Sequence, residues 1–374
     1  MKKIVLTGGG TGGHIFPLIS VVENIEMENL EIYYIAPKGD YFLEKEFLDK
    51  GVIFRRIYAG KIRRYFDPIA FLKNIVDMVK IPIGIIQSII YLLVISPDLV
   101  FSKGGFGAFP VAVAAKVVGV PLILHESDAS VGLANKIISG FATKIFTSFE
   151  ETEGMEDKET IQVGNPIRKS VTEGDLERAA ERFNLSRKKS IILILGGSQG
   201  SERINRMITV ILPRMVQEFE IIHQCGKKNF DEMKKEVEEL RNGEIKKYYH
   251  LYPFLESEEI ADAYAVADLV VSRAGAGSIF EILANGRPSI LIPLPEAAQN
   301  HQTKNAYQVA KSGAAIVLEE DNLTPHLFLE RARSLFQPEE RIKKMKGAAK
   351  AISKNEAGKD LANYLQEILN QKKS

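Results

Sequence analysis

The sequence predicts an α/β protein built from two parallel-sheet domains, and three observations support this fold class. Short apolar runs that suit buried strands alternate with helical stretches from the start, as in KIVLT, EIYYIAP and VIFRRIY. This alternation is typical of βαβ units with parallel strands. A charged stretch, EGDLERAAERFNLSRKK, interrupts the pattern, which then restarts at SIILILGGSQGS. The length of 374 residues also exceeds what a single hydrophobic core usually supports.

In the first half, four further strand-like runs follow those three: PDLVFSK, VPLILHES, TKIFTSF and TIQVGN. Before PDLVFSK lies an uncharged stretch, IPIGIIQSIIYLLVISP. Pro82, Gly84, Gln87 and Ser88 interrupt it, and Pro97 ends it short of the roughly 20 residues that a transmembrane helix needs. We therefore expect a buried helix that leads into the strand DLVFS.

The second half repeats the pattern with SIILIL, FEIIHQCG, YYHLYPF, DLVVSRAG, PSILIPLP and AAIVLEE. Each half opens with a strand that runs into a glycine-rich turn, and SKGGFGAFP in the first half parallels SRAGAGSIF in the second. We place the linker near Gly164–Arg168, in GNPIR, and predict domains over residues 1–165 and 166–352. Residues 353–374 are predicted to form a C-terminal helix that packs back on the N-terminal domain.

Charge and cysteine content limit the class of protein. The formal net charge is +1, so no global attraction to nucleic acid is expected. Cys225 is the only cysteine, which excludes a disulfide within the chain and suits a reducing cytosol. The first apolar run ends at glycine within a few residues, too early for a signal peptide. We expect the protein to remain inside the cell.

The segment LTGGGTGGHIFP, from Leu6 to Pro17, predicts a ligand-binding loop between a strand and a helix. Its five glycines let the backbone approach a ligand closely, and the N–H groups of a helix start attract phosphate. A dinucleotide site would need an acidic residue where this chain has Ala36 and Pro37, and a P-loop would need a lysine after its glycines. We therefore expect another phosphorylated ligand, with His14 at the end of the loop.

The second half is predicted to hold a nucleotide. Ser198, in GGSQG, follows a strand at a helix start, and SRAGAGSIFE follows the strand DLVV, so both segments suit phosphate. Glu281 lies one turn into the latter helix, where its carboxylate can accept both hydroxyls of a ribose. The loop PLPEAAQNHQTKNA adds four residues suited to sugar hydroxyls: Gln299, His301, Gln302 and Asn305. All these segments follow strands of one predicted sheet, where α/β folds bind ligands.

The segment KIRRYFDPIAFLKNIVDMVK mixes cations with large apolar residues. Such a surface can hold a protein on an anionic leaflet, and the alternative is a solvated helix face over a core stripe. The candidate membrane residues are Lys61, Arg63, Arg64, Phe66, Phe71 and Lys73.

Six motifs together resemble the MurG family, the peptidoglycan N-acetylglucosaminyltransferases that complete lipid II. They are, in order, GGGTGGH, KGGFGAFP, HESDASVGLANK, GNPIR, GGSQGS and SRAGAGSIFE, and they span nearly the whole chain. The resemblance implies the GT-B fold, in which two Rossmann-like parallel-sheet domains face each other across a cleft. It also implies that no metal or other cofactor is required, that the N-terminal domain binds the acceptor and the membrane, and that the C-terminal domain binds the donor.

The resemblance further implies an inverting transfer of N-acetylglucosamine from UDP-N-acetylglucosamine (UDP-GlcNAc). The acceptor would be the muramyl 4-hydroxyl of lipid I, which is undecaprenyl-diphospho-MurNAc-pentapeptide, in peptidoglycan synthesis. Expected partners are UDP-GlcNAc, lipid I, an anionic membrane surface and other cell-wall synthesis proteins, with no nucleic acid. The expected location is peripheral, on the cytoplasmic side of the cell membrane. Two alternatives stay open: another GT-B enzyme, such as a diacylglycerol glycosyltransferase or a UDP-sugar epimerase, and a nucleotide-binding regulator without turnover.

Site residues are implied in the same way. Ser198 and Arg168 would contact the donor, and Glu281 would bind its ribose. The main chain of Leu255 would bind the uracil. Gln302, beside His301, would bind the sugar. The donor diphosphate would face the backbone of Ala276, Gly277 and Ser278, and the N-terminal domain would contribute Thr11, Gly12 and Gly13. The acceptor diphosphate would bind two loops, Gly10–His14 and Gly104–Gly107, through Gly10, His14, Gly104, Gly105 and Gly107.

Inversion by direct displacement needs a base for the acceptor hydroxyl. His14 suits this task because an imidazole ordinarily titrates near neutral pH, and Asp128 and Glu126 are the alternatives. Many relatives carry asparagine where this chain has Asp128, and the family assigns that amide a sugar contact. An ionised aspartate accepts hydrogen bonds but does not donate them, so Asp128 is a candidate both for the sugar contact and for the proton acceptor.

Overall fold

The computed structural model describes residues 1–9, 12–38, 44–60, 68–197, 200–240 and 242–371, without the side chains of residues 68–76. The chain divides into two compact units, Met1–Arg168 with Asn355–Ser374, and Lys169–Lys354. The first unit thus ends at residue 168, where the sequence predicted 165, and the second ends at residue 354, where it predicted 352.

The first unit is a parallel sheet with helices on both faces. Its elements are β1 (Lys2–Thr7), α1 (Gly12–Asn24), β2 (Leu30–Pro37), α2 (Glu44–Leu48), β3 (Ile53–Ile57), α3 (Pro68–Ile95), β4 (Leu99–Ser102), α4 (Phe109–Val118), β5 (Leu122–Glu126), α5 (Leu133–Ser139), β6 (Lys144–Thr147) and β7 (Thr160–Gln162). The strand order is β3-β2-β1-β4-β5-β6-β7, and Ile4 of β1 pairs with Ile32 of β2 and Leu99 of β4. The direction of winding reverses between β1 and β4, and in such sheets ligands bind beyond the carboxyl ends of the strands at this point.

Alternate residues of β1 supply two hydrophobic cores. Val5 packs with residues of α3 and α4 on one face, and Leu6 packs with residues of α1 on the other. Successive side chains of a strand point to opposite faces, so a sheet covered on both sides needs a continuous apolar run. This is why KIVLT contains no polar residue between its ends.

The helix α3 differs from the expectation of a buried helix. It does lead into β4, but only one face is covered, since Gly84, Ser88 and Leu92 are buried. The large side chains of Val79, Ile83, Ile86, Ile90, Leu93 and Val94 are exposed. Gly84 lies on the packed face, and glycine is needed there because a Cβ would come within 1.9 Å of the Tyr58 carbonyl oxygen. Of the residues that interrupt the sequence run, Gly84 and Ser88 therefore pack inward, whereas Pro82 is exposed together with Ile83, Ile86 and Ile90.

The second unit repeats the architecture with six strands. Its elements are α6 (Leu176–Arg182), β8 (Ser190–Leu195), α7 (Glu202–Glu218), β9 (Phe219–Gln224), α8 (Phe230–Glu239), α9 (Gly243–Tyr248), β10 (Tyr249–Tyr252), α10 (Ser257–Val266), β11 (Leu269–Ser272), α11 (Ala276–Ala284), β12 (Ser289–Leu291), α12 (His301–Lys311), β13 (Ala315–Val317), α13 (Pro325–Phe336) and α14 (Glu339–Ile352). The strand order is β10-β9-β8-β11-β12-β13, all parallel. The order again reverses beside the first strand, between β8 and β11.

The last helix, α15 (Ala357–Gln371), belongs to the first unit. Its apolar face carries Leu361 and Leu365, which are buried in the same core as Leu18 and Val22 of α1. The spacing of four residues places both leucines on one side of the helix. The chain therefore returns to its starting unit and covers one face of the first sheet.

Candidate active site at the strand ends

The first part of the candidate site is the start of α1, directly after β1. His14 is half-buried in the first turn, and its Nδ1 lies 3.2 Å from the carbonyl oxygen of Lys103. A carbonyl only accepts, so Nδ1 carries the hydrogen and donates it, and Nε2 is the ring nitrogen with the lone pair. Gly12 and Gly13 open the helix, while Gly10 and Thr11 lie outside the described residues.

The loop after β4 lies against this histidine. Gly104 and Gly105 both have left-handed backbones, with φ of 79° and 80°. A Cβ at Gly105 would lie 3.1 Å from Nε2 of His14, and one at Gly104 would lie 2.0 Å from Oδ1 of Asn135. Glycine is thus needed here for both the backbone conformation and the close approach. The described part of the first predicted acceptor loop, at His14, and Gly105 of the second are therefore neighbours beyond the carboxyl ends of β1 and β4.

The two carboxylates considered as bases are at the end of β5, which is Glu126, and in the turn after it, which contains Asp128. Oε1 of Glu126 accepts from the main-chain N–H groups of Ser127 (2.7 Å) and Asp128 (3.0 Å). Oε2 accepts from the N–H of Gly132 (3.3 Å) and from Nδ2 of Asn135 (2.7 Å). Burial, with the nearby Asp128 charge, raises the pKa of Glu126. Glu126 thus orders the turn of its own loop, and Asp128 is half-buried on that turn.

Sequence reasoning missed Lys103, which directly precedes the glycine pair. Its side chain is buried, and its ammonium contacts Nδ1 of His125, Oγ of Ser127 and Oδ1 of Asn165. The signal was present in SKGGFG, where a lysine directly follows a buried strand and so has little access to water.

In the second unit, the strongest candidate phosphate site is the start of α11. Gly275 precedes the helix, and no side chain caps it. A Cβ at Gly275 or Gly277 would meet no atom within 4 Å, so the space in front of the helix is open. The first N–H groups of a helix have no partner inside it, and here they belong to Ala276, Gly277 and Ser278.

Three residues of the second unit that were predicted to bind the sugar donor make internal hydrogen bonds. Oε2 of Glu281 accepts from the hydroxyl of the buried Tyr264 at 3.4 Å, and Oε1 of Gln302 accepts from the N–H of Leu294 at 3.0 Å. The N–H of Leu255 donates to Oε1 of Gln224 at 3.2 Å. These bonds fix the directions of side chains that the sequence identified only by type.

Two further residues of the second unit were not identified from the sequence. Gln224 also donates through Nε2 to the Gly197 carbonyl at 3.2 Å, so it joins the uracil-side segment to the glycine loop after β8. Arg273 donates to Glu320 and to Oγ of Ser201, both at 2.6 Å, and so ties β11 to the start of α7. Arg273 lies in the motif SRAGAGSIFE that was singled out, whereas the loop after Gln224 was not, and both side chains have partners in distant segments.

Other predicted residues lie elsewhere. Arg168 ends the first unit, with its guanidinium 4.0 Å above the ring of Phe16. Asn305 is buried and donates to the Ala274 carbonyl at 3.1 Å, a structural contact. Ser198, Lys61, Arg63, Arg64 and Phe66 lie outside the described residues, as do the side chains of Phe71 and Lys73. Within the described ranges, no three His, Cys, Asp or Glu side chains are grouped so as to hold a metal ion.

Family comparisons cover both units. The glycosyltransferase family 28 N-terminal domain matches residues 4–147, and the glycosyltransferase family 28 C-terminal domain matches residues 191–371. A Bacillus cereus protein named UDP-N-acetylglucosamine–N-acetylmuramyl-(pentapeptide) pyrophosphoryl-undecaprenol N-acetylglucosamine transferase 2 is 37% identical over 370 residues, 98% of this chain and 100% of its own. A Clostridium perfringens transferase of the same name, without the number, is 39% identical over 336 residues, 89% of this chain and 90% of its own.

Solved structures show the same fold. The crystal structure of Acinetobacter baumannii MurG matches with a TM-score of 0.76 at 24% identity, covering 98% of this chain and 100% of that one. The UDP-GlcNAc 2-epimerase from Neisseria meningitidis bound to UDP-GlcNAc matches with a TM-score of 0.69 at 15% identity, covering 98% and 100%. The prediction of two Rossmann-like parallel-sheet domains of the GT-B class is confirmed.

Proposed function

This chain belongs to the MurG family of glycosyltransferases, and we propose that it transfers N-acetylglucosamine from UDP-GlcNAc to the muramyl 4-hydroxyl of lipid I. The observation that carries this proposal is the 37% identity with a named transferase along 98% of the chain. The epimerase alternative has only a likeness of fold at 15% identity. The product would be the lipid-linked disaccharide of peptidoglycan synthesis, joined by a β-1,4 bond.

The second unit binds the donor in this proposal. The open N-terminus of α11 receives the diphosphate, since its N–H groups and the helix dipole favour anions. Glu281 accepts the ribose hydroxyls, with its carboxylate oriented by Tyr264. Gln302 binds the sugar, and the main chain of Leu255 binds the uracil. Ser198 and Arg168 are retained as donor contacts from the family pattern alone.

His14 is the base in this proposal. Its Nδ1–H is directed to the Lys103 carbonyl, so Nε2 takes the proton of the acceptor hydroxyl. The oxygen then attacks the anomeric carbon from the face opposite to UDP. The bond from that carbon to the phosphate oxygen breaks, and its electron pair leaves on UDP. Asp128 is the second candidate base, whereas both oxygens of Glu126 already accept two hydrogen bonds each.

The step needs no metal ion in this proposal. Charge develops on the diphosphate as UDP leaves, and donors that already point at this position stabilise it without reorganisation. The N-terminus of α11 supplies such donors in the second unit, and Arg168 would supply a cation.

The location is part of the proposal. Lipid I is held in a membrane by its undecaprenyl chain, and we place the protein on the cytoplasmic surface of that membrane. The outward face of α3, with Ile83, Ile86, Ile90 and Leu93 exposed, supports this location. By length and composition alone, the segment Asp77–Ile95 is long and apolar enough to cross a membrane. Its other face packs against the sheet and α4, so the proposal is a peripheral contact.

The test is an assay of UDP release with defined acceptors. Purified protein is given UDP-GlcNAc alone, with a lipid I analogue, or with diacylglycerol. The proposal expects UDP only with the lipid I analogue. Release with diacylglycerol would identify a different transferase, and release with no acceptor would indicate a hydrolase. Conversion of the donor to another UDP-sugar would indicate an epimerase, and UDP binding with no change of the donor would indicate a regulator.

A further inference from the structure

Lys103 occupies a site that matches a charged ammonium group. Its three hydrogens meet three acceptors, namely Nδ1 of His125, Oγ of Ser127 and Oδ1 of Asn165, the last at 3.0 Å. Nε2 of His125 donates to the Gly164 carbonyl at 2.9 Å, which leaves the lone pair on Nδ1. A neutral amine has two hydrogens and one lone pair, so it would meet all three partners only if the Ser127 hydroxyl donated to it. That hydroxyl instead donates to Oδ1 of Asn165 at 3.2 Å, and the hydrogen bonds therefore favour the cation.

The charges that face Lys103 are on the HESD loop, residues 125–128. Glu126 and Asp128 both attract the ammonium, and burial of His125 beside Lys103 lowers the pKa of that imidazole so that it stays neutral. A buried cation is costly unless opposite charge lies close to it. The acidic pair and the lysine thus compensate each other, and removal of Lys103 would leave two carboxylates in one partly buried loop.

The main chain of Lys103 contacts the candidate base. Its N–H donates to the Thr7 carbonyl at 2.8 Å, and its carbonyl accepts from Nδ1 of His14 at 3.2 Å. One residue therefore connects the end of β1, the first turn of α1 and the loop after β5. A displacement of Lys103 would move the carbonyl that orients His14.

We propose that Lys103 is a positioning residue for the transfer reaction, whose ammonium fixes the charged HESD loop while its carbonyl fixes the orientation of His14. This inference rests on the proposed function. Lys103 acts through Asp128 and His14 and does not itself touch the reacting atoms. The charge of Lys103 also explains why an aspartate is tolerated at position 128, because a buried cation close to the HESD loop compensates the carboxylate.

The test compares Lys103→Met, Asp128→Asn, the double variant and a control, Lys116→Met. Methionine matches the length of lysine without its charge, and Lys116 is an exposed lysine of α4 in the same unit. We expect Lys103→Met to lower kcat by about 10²-fold, because small misplacements of catalytic groups have effects of this size. The KM for UDP-GlcNAc should not change. Asp128→Asn in the Lys103→Met background should recover about tenfold of kcat by removing the uncompensated charge.

The pH dependence provides a second readout. Burial lowers the pKa of Lys103 to about 7 from its usual 10.5. Between these values the unfolded chain holds a proton that the folded chain has released, so this lysine makes stability rise with pH in that range. In the same range wild-type kcat should decline as the ammonium is lost. Lys103→Met should lack both effects, and Lys116→Met should keep both.

Folding and function are checked separately. Circular dichroism and thermal melting show whether each variant is folded. If Lys103→Met is not folded, Lys103→Gln replaces it, since glutamine keeps two N–H donors without charge. A folded variant with wild-type kcat, or a double variant no more active than Lys103→Met, would overturn the inference. Failure of the proposed function would instead appear in the wild type, as absence of transfer to the lipid I analogue.

Discussion

At the scale of single residues, His14 combines three features that a base requires. It lies in the first turn of α1 beyond the carboxyl end of β1, its Nδ1–H is directed to a carbonyl, and Nε2 lies beside Gly105, where a side chain would crowd it. We expect His14→Ala to lower kcat by about two to four orders of magnitude, since a positioned base contributes this much.

Binding of UDP to the second unit should persist in His14→Ala, which isothermal calorimetry can measure. Asp128→Asn is the paired comparison. If that variant loses more activity than His14→Ala, the base is Asp128 and the assignment of His14 is wrong.

Glu281 tests the donor site at the same scale. Glu281→Ala should weaken UDP-GlcNAc binding by about 1–3 kcal/mol, because the ribose hydroxyls lose a charged acceptor. Glu232, in the first turn of α8 in the same unit, is exposed, and Glu232→Ala is the matched control. Equal donor affinity in the two variants would remove Glu281 from the site.

At the scale of elements, α3 offers the clearest experiment. Its outward face presents Ile83, Ile86 and Ile90 at spacings of three and four residues, which places them on one side of the helix. Replacing all three with serine should lower binding to vesicles of phosphatidylglycerol and phosphatidylcholine by at least about tenfold, given the free energy of burying such side chains. Activity on a short-chain, water-soluble acceptor should be retained.

Val210→Ser is the control for that experiment. Val210 is 69% exposed on α7 of the second unit, so its loss tests whether any exposed apolar side chain matters. Unchanged vesicle binding by the triple variant would show that α3 does not meet the membrane. The basic residues upstream, Arg63, Arg64 and Lys73, remain a separate prediction that salt dependence of the same binding would test.

At the scale of the whole molecule, the sequence predicted the two sheets well because each strand carries its own signal. A strand covered on both faces must be apolar throughout, and the glycine-rich turns at the switch points are local in sequence. The motif HESD was also visible locally, and the loops after β1, β4, β8 and β11 lie at strand ends as the pattern required.

What the sequence could not show depends on packing between distant segments. Lys103 is buried among residues near positions 125 and 165, and no local pattern reveals that a lysine has three internal acceptors. The face of α3 was misjudged because Gly84 packs closely against the Tyr58 main chain, and the buried Ser88 donates its hydroxyl to the Gly84 carbonyl within the helix. Composition identified the helix, but only the packing decided which side of it is exposed.

The proposed transfer is tested most directly by following the sugar itself. Purified protein is incubated with UDP-GlcNAc labelled with ¹³C in the sugar and with a lipid I analogue, and the lipid product is isolated for mass spectrometry and NMR. Inverting transfer to lipid I predicts one added N-acetylhexosamine, joined to the muramyl 4-oxygen with the β configuration that inversion of the donor gives. Label found only in free sugar or in an epimerised nucleotide sugar, with the acceptor unchanged, would contradict it.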